Sequence, residues 1–229
     1  MDAETTNATD EFGIPIIPGP SDAAQRKRQA IIDAAVTEFL AEGYSAASMD
    51  AITSRSGVSK ATIYKHFGNK ERLFLAVIAG ILPQTYAGLE PCSSTLAEAP
   101  DLREALIRLH TDWAAVLLRR DIMSLRRLVI GETERFPQLG QLWYRVTFDM
   151  NNGPLTEAVV ELNERGRLDT PDPALAVQQL VASTVGVLQL VHTFAPGSEV
   201  DEAELTRVIS SGVDLFLARY AVPPATSVL

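Results

Sequence analysis

The 229 residues carry a net charge of -9, a hydrophobic fraction of 46% and one cysteine, Cys92. A chain of this size has material for one medium or two small buried cores, and a lone thiol excludes an intrachain disulfide and fits a reducing compartment. No uninterrupted apolar run approaches the roughly 18 residues of a membrane span, and no basic-then-apolar leader opens the chain, so a cytoplasmic location is expected.

The charge is unevenly divided. Residues 1–20 hold four acidic and no basic side chains, residues 21–72 eight basic and six acidic, and residues 73–229 twelve basic and nineteen acidic. Positive charge is therefore confined to one segment, and an acidic remainder keeps a polyanion from lying elsewhere. Cys92 has no cationic neighbour in sequence to activate it, and reads as a bystander before an oxidant sensor.

In chain order, residues 1–20, with Pro15, Pro18, Pro20, Gly13 and Gly19 and no periodicity, read as a flexible tail. Ser21 and Asp22 can cap a helix to about Glu42, with Ile31, Ala35 and Phe39 on its buried stripe and Gly43 ending it. Arg26, Lys27 and Arg28 crowd its first turns, where cations oppose the helix dipole. Their position points to an outside partner, most simply DNA phosphates or a minor groove; a solvated cluster is the alternative.

Residues 48–67, SMDAITSRSGVSKATIYKHF, follow. Ser48 is an N-cap for two amphipathic turns carrying Met49, Ile52 and Thr53 on one face. Gly57 can adopt the left-handed conformation of a tight turn, Val58 can plug the space between helices, and Ser59 can cap a second helix over residues 60–67. This is helix-turn-helix spacing. Ile63 and Phe67 point inward, leaving Lys60, Thr62, Tyr64, Lys65 and His66 outward on a face that suits the DNA major groove. Lys60 and Lys65 can neutralise phosphates or reach guanine, Thr62 can contact a base, and Tyr64, His66 and Ser48 can hydrogen-bond phosphate.

The stretch resembles the DNA-binding segment of the TetR family of transcriptional regulators, with its pattern I-A-x-x-A-G-V-S-x-x-T-[IL]-Y-x-[HY]-F-x-x-K-[ED]-x-L. The matching residues are Ile52, Gly57, Val58, Ser59, Thr62, Ile63, Tyr64, His66, Phe67, Lys70, Glu71 and Leu73. Thr53 and Ser56 stand where the family usually has alanine. The likeness is sharp over roughly residues 25–80 and looser beyond. It implies an all-α protein: an N-terminal three-helix DNA-binding domain and a C-terminal helical bundle for ligand binding and dimerisation.

After Gly68-Asn69 a fourth helix opens with Lys70-Glu71-Arg72 and runs to about Pro83; the resemblance implies a phosphate contact for Lys70. Residues 69–85 are thus expected to connect a DNA-binding domain at 21–68 to a second domain at 86–229. Residues 86–100, rich in Pro, Ser and Gly, read as a loop. From Asp101 every periodic segment is helical, with no strand-like alternation. Gly153-Pro154 should kink or break one helix, Arg165-Gly166-Arg167 should close it, and Pro171 and Pro173 should open the next. Residues 127–140, RLVIGETERFPQLG, resemble a stretch of the AefR-like group of TetR/AcrR regulators, where it bridges two helices.

The last two helices, about 174–194 and 203–220, are apolar around most of their circumference. Small residues Ala182, Ser183, Gly186, Ser210, Ser211 and Gly212 would admit a close partner helix. This reads as a two-fold dimer interface, with Val177, Val181, Thr184, Val185, Leu188, Ser210, Ser211, Val213 and Phe216 as its candidates; a central helix buried within one protomer is the other reading. The family resemblance implies a small-molecule pocket in the second domain. Candidate walls are His110, Trp113, Leu117, Trp143, Tyr144, Thr147, Phe148, Met150, Asn151 and His192, suited to a largely apolar ligand. His110 and Asp112, with His192 as a remote third ligand, give a weak metal signal beside the stronger reading of a satisfied core or pocket histidine, and no phosphate loop or nucleophile elbow appears. No cofactor and no catalysis are expected. The expected function is a homodimeric repressor on palindromic double-stranded DNA, released by a small molecule. The alternatives are an activator or partner-controlled regulator, and a helical ligand-binding protein that does not bind DNA.

Overall fold

The computed structural model describes residues 22–86, 93–199 and 201–223, so the expected tail and Cys92 lie outside the described residues. Every regular element among them is helical: α1 (Asp22–Ala46), α2 (Met49–Ser56), α3 (Lys60–Phe67), α4 (Lys70–Tyr86), α5 (Ser93–Glu98), α6 (Leu102–Leu117), α7 (Arg120–Glu132), α8 (Pro137–Tyr144), α9 (Asn151–Glu164), α10 (Pro173–Val181), α11 (Val187–Phe194) and α12 (Glu202–Tyr220). A π-helical turn, Arg145–Met150, joins α8 to α9, and a second, Ala182–Gly186, joins α10 to α11.

The chain forms two compact units. The first takes the residues up to Thr85 together with Ser124–Tyr144, and the second takes Tyr86–Met123 and Arg145 onward. The first boundary falls at Thr85, and 124–144 goes with the first unit. Phe136 is the reason. Its ring is buried, 4.8 Å from that of Tyr44 and 5.5 Å from that of Phe74, and Phe39 closes the cluster at 4.9 Å from Phe74. Such edge-on aromatic packing adds to ordinary apolar burial.

The remaining core of the first unit follows the helical period, with Ile31, Ala35 and Phe39 from α1, Ile52 from α2, Ile63 and Phe67 from α3 and Leu73, Phe74 and Ile78 from α4. Helical backbone breaks at Gly43, φ 73°, where the sequence places the end of the first helix. α4 continues through Pro83 to Tyr86, three residues past the point where the sequence places its end.

In the second unit α12 packs along α6 and against the π turn at Ala182–Gly186, while α5 and α10 lie on α9. A short helix, α5, stands where the composition predicts a loop: Leu96 and Ala97 are buried, and the Arg167 guanidinium donates to the Ala97 and Ala99 carbonyls at its end. Arg103 and Asp214 make a two-pronged pair at 2.6 and 2.9 Å between α6 and α12. The break expected at Gly153-Pro154 is replaced by the π turn just before α9, and Pro154 sits inside α9 itself. A wider turn just upstream relieves the clash and the missing donor that a proline brings.

Gly212 fixes the approach of α12 to the second π turn: a Cβ there would lie 2.6 Å from the Ser183 carbonyl oxygen and from Thr184 Cγ2. That small residue therefore serves a contact within the protomer. By length and mean hydropathy the run Pro173–Phe194 reaches what a membrane span needs, although Gln, Ser, Thr and His interrupt it and a third of its apolar window is buried. Helices packed in a domain core meet the same test, and Ala176, Val177, Leu180, Thr184, Val185 and Leu188 are buried within the unit.

Candidate nucleic-acid interface

The turn between α2 and α3 is built from local chemistry. Ser48 Oγ accepts from the backbone N–H groups of Asp50 and Ala51, and Gly57, at φ 66°, donates its N–H to the Thr53 carbonyl. A side chain at that φ would be strained. Ser59 Oγ accepts from the Thr62 N–H at 3.3 Å and lies 2.8 Å from Thr62 Oγ1. The two departures from the family pattern are absorbed by hydrogen bonds: Thr53 Oγ1 donates to the Met49 carbonyl, and Ser56 Oγ donates to the Thr53 carbonyl while accepting from Val58 N–H.

Ile63 and Phe67 are buried, and Lys60, Tyr64, Lys65 and His66 are exposed, so α3 presents the outward face that its period predicts. Beside it, a cleft of about 440 Å³ is lined by Arg26, Lys27, Ala30, Ser56, Gly57, Val58, Ser59 and Thr62. The fold thus brings two of the three α1 cations to the turn and to the start of α3. The third turns inward: Arg28 is half-buried, with its guanidinium 5.6 Å from the Phe67 ring.

Three other predicted residues are partly engaged within the protein. Lys60 Nζ donates to Asp50 Oδ1 at 2.7 Å, and that bond holds its pKa above the ordinary lysine value. Lys70 Nζ donates to the Ser45 carbonyl at 3.0 Å and sits 4.9 Å over the Tyr44 ring; burial there, then the Arg135 charge, lowers its pKa. This pins the start of α4 to the end of α1. Ser48 is exposed and its oxygen accepts in capping α2, which leaves its O–H free to donate to a phosphate at the helix end. His66 is held below the usual histidine range by burial first, then by Arg28, Lys65 and Lys27. It is therefore neutral at neutral pH and a single donor.

The ligand-wall candidates fall on both units. His110, Trp113 and Leu117 share the buried face of α6 in the second unit, and the His110 and Trp113 rings are 5.5 Å apart. Trp143 and Tyr144 belong to the first unit, where Tyr144 is exposed and Arg126 lies 5.9 Å over Trp143. Thr147 is half-buried on the first π turn, His192 Nδ1 on α11 lies 2.9 Å from Ser198 Oγ, and the side chains of Phe148, Met150 and Asn151 lie outside the described residues. Among the described residues no three metal-ligating side chains come together.

His110 is fully buried, and burial lowers its pKa to about 4. The unfolded chain takes up a proton near pH 6.5 that the folded chain refuses until about pH 4. Stability is therefore unaffected above that window and falls as pH drops through it, by about 3 kcal/mol in total. Urea melts across the window are expected to show this loss in the wild type and not in His110→Leu.

The dimer candidates differ in how far their own unit covers them. Val177, Thr184, Val185, Leu188, Val213 and Phe216 are buried against their own unit, Val181 and Ser210 are half-buried, and Ser211 is exposed. A side chain already covered cannot also cover a partner. The exposed apolar residues are others: Val187, Leu190, Val191 and Phe194 on α11, with Leu175 and Leu215 on α10 and α12. The signal for the α11 set is present in the sequence as spacings of three, four and seven, but Val185 and Leu188 begin an equally apolar stripe beside it.

A unit carrying a basic helix-turn-helix and a second, wholly helical unit define the class of protein as a DNA-binding regulator of the two-unit helical type. The chain belongs to the TetR family of transcriptional regulators: the family's DNA-binding region matches residues 31–77, and the C-terminal domain of AefR-like transcriptional repressors matches residues 104–222. A solved TetR-family regulator from Mesorhizobium loti is 33% identical, with a TM-score of 0.78 over 89% of this chain and all of that one. The flavonoid-responsive regulator FrrA is 29% identical, with a TM-score of 0.69 over 87% of this chain and all of FrrA. The transcriptional activator FasR of Mycolicibacterium smegmatis is 34% identical over 89 residues, which span 39% of this chain and 40% of FasR. Members of this family regulate transcription and are not enzymes.

Proposed function

We propose that the chain is a homodimeric, cytoplasmic repressor that binds a palindromic operator and is released when a small, largely apolar molecule enters the second unit. The observation that carries the reading is the arrangement at α3: exposed Lys60, Tyr64, Lys65 and His66 beside a cleft walled by Arg26 and Lys27. A two-fold axis would place two copies of α3 in successive major grooves about 34 Å apart and so require an inverted repeat. Release needs only that the ligand favour a conformer with lower operator affinity, and a coupling of about 1 to 3 kcal/mol weakens binding roughly 5- to 150-fold. The flavonoid response of FrrA supports control by a small molecule.

Selection of bound duplexes from genomic fragments tests DNA binding and yields the operator sequence in the same step. On the selected duplex, Lys65→Ala is expected to lower affinity and to reduce the slope of log K against log salt by about one. An unchanged slope and affinity would overturn this docking of α3. A second reading, activation, is favoured by the activator FasR. Transcription from the selected promoter with purified polymerase separates the two by its sign.

A further inference from the structure

His110 is the buried polar side chain of the second unit that the fold leaves half-satisfied. Its Nδ1 lies 2.8 Å from the Leu106 carbonyl oxygen, one helical turn earlier. A carbonyl only accepts, so Nδ1 carries the hydrogen, and a neutral imidazole has no second one. Nε2 is then an acceptor with its lone pair exposed, and it meets no donor among the described residues. Thr184, also wholly buried in this unit, does not supply one, because its hydroxyl donates to the Leu180 carbonyl at 2.7 Å.

The buried side chains that share the helix with His110 are apolar and aromatic. Leu106, Trp113, Ala114 and Leu117 are buried on the same helix, with the Trp113 ring 5.5 Å from the imidazole. A single acceptor in an apolar wall is how ligand sites fix the orientation of an otherwise greasy molecule. A buried acceptor without a donor is also a standing cost, tolerated where something outside the chain completes it.

We propose that His110 Nε2 is a ligand-reading acceptor, and that the second unit takes an uncharged, largely aromatic molecule bearing one O–H or N–H donor. The inference rests on the ligand-response reading above and narrows its chemistry. A methyl ether in place of the hydroxyl sets two acceptors face to face, and a carboxylate does the same with a charge to desolvate as well.

The test titrates the full chain calorimetrically with 2-naphthol, 2-methoxynaphthalene and 2-naphthoate. The expected result is a preference for 2-naphthol over its methyl ether of roughly fivefold or more in the wild type, and its loss in His110→Leu. Nitrogen NMR gives a second readout should that variant not fold: the His110 Nε2 resonance shifts on adding 2-naphthol and stays put with the ether. Equal affinities, preference for the carboxylate, no binding of any probe at millimolar concentration, or a preference that survives His110→Leu would each overturn the assignment. DNA anisotropy run in parallel separates this inference from the reading beneath it. Binding of 2-naphthol at His110 without loss of operator affinity upholds the site and sinks ligand control. Release of DNA from His110→Leu as from the wild type, by any molecule, does the reverse.

Discussion

Exchanging Leu190 and Phe194 together for Glu is expected to convert a dimer into a folded monomer and to lower operator affinity about a hundredfold or more. The four apolar side chains Val187, Leu190, Val191 and Phe194 recur at helical spacing on α11 and stand 43%, 57%, 56% and 80% exposed in the protomer. An apolar stripe left uncovered by its own chain is the kind of surface that marks an interface. In a two-fold interface each substitution acts twice, and each new carboxylate must lose water opposite its own symmetry mate. Disrupting the dimer unlinks the two half-sites, and linkage of this kind is worth about a hundredfold or more in apparent affinity.

Because these residues are exposed, the protomer should keep its helicity, and its melting temperature should fall only by what dimerisation contributed and cease to depend on protein concentration. Val177→Glu is the contrast. That residue is buried within its own unit, so the substitution should unfold the protomer rather than separate two folded ones. Sedimentation equilibrium, with anisotropy on an inverted repeat and on a single half-site, reads both outcomes. A double variant that still sediments as the wild-type species, and still binds the inverted repeat, would sink the α11 interface.

The parts of this architecture that are legible in the sequence are those decided within a few residues. Ser48, Gly57 and Ser59 determine where α2 and α3 begin and end through caps and one left-handed glycine, and such bonds do not depend on what is packed elsewhere. The outward face of α3 follows from the burial of Ile63 and Phe67 alone. What is not legible needs contacts between distant residues. On α10 and α11 two apolar stripes compete for the interior, and the one turned inward lies beside the close approach of Gly212 to Ser183 and Thr184. The π turn between the helices adds a residue to the helical repeat and shifts the phase of the stripe beyond it, a change that period counting passes over. In the same way the sequence groups Trp143 and Tyr144 with Trp113 in a single domain, because nothing local announces that 124–144 packs with the first unit.

Phe136→Ala is expected to destabilise the first unit by about 3 to 5 kcal/mol and to leave the second unit's own transition in place. Phe136 is buried near the end of the AefR-like phrase, with its ring edge-on to Tyr44 and tilted against Phe74, so truncation removes a shared wall of the aromatic cluster and opens a cavity in it. The neighbouring Arg135 lies 4.5 Å over the Tyr44 ring from an exposed position. Arg135→Ala should cost about 1 kcal/mol or less by comparison. The two tryptophans make the experiment local, since Trp143 belongs to the first unit and Trp113 to the second. In a Trp113→Phe background the urea midpoint reported by Trp143 should fall sharply with Phe136→Ala. In a Trp143→Phe background the midpoint reported by Trp113 should move little, whereas Leu155→Ala, at a fully buried site in the second unit, should move it instead. A fall confined to the Trp113 signal would mean that 124–144 stabilises the helices of the second unit and not those of the first. The seat of Phe136 would then give no physical reason for a change in this segment to reach the DNA-binding helices.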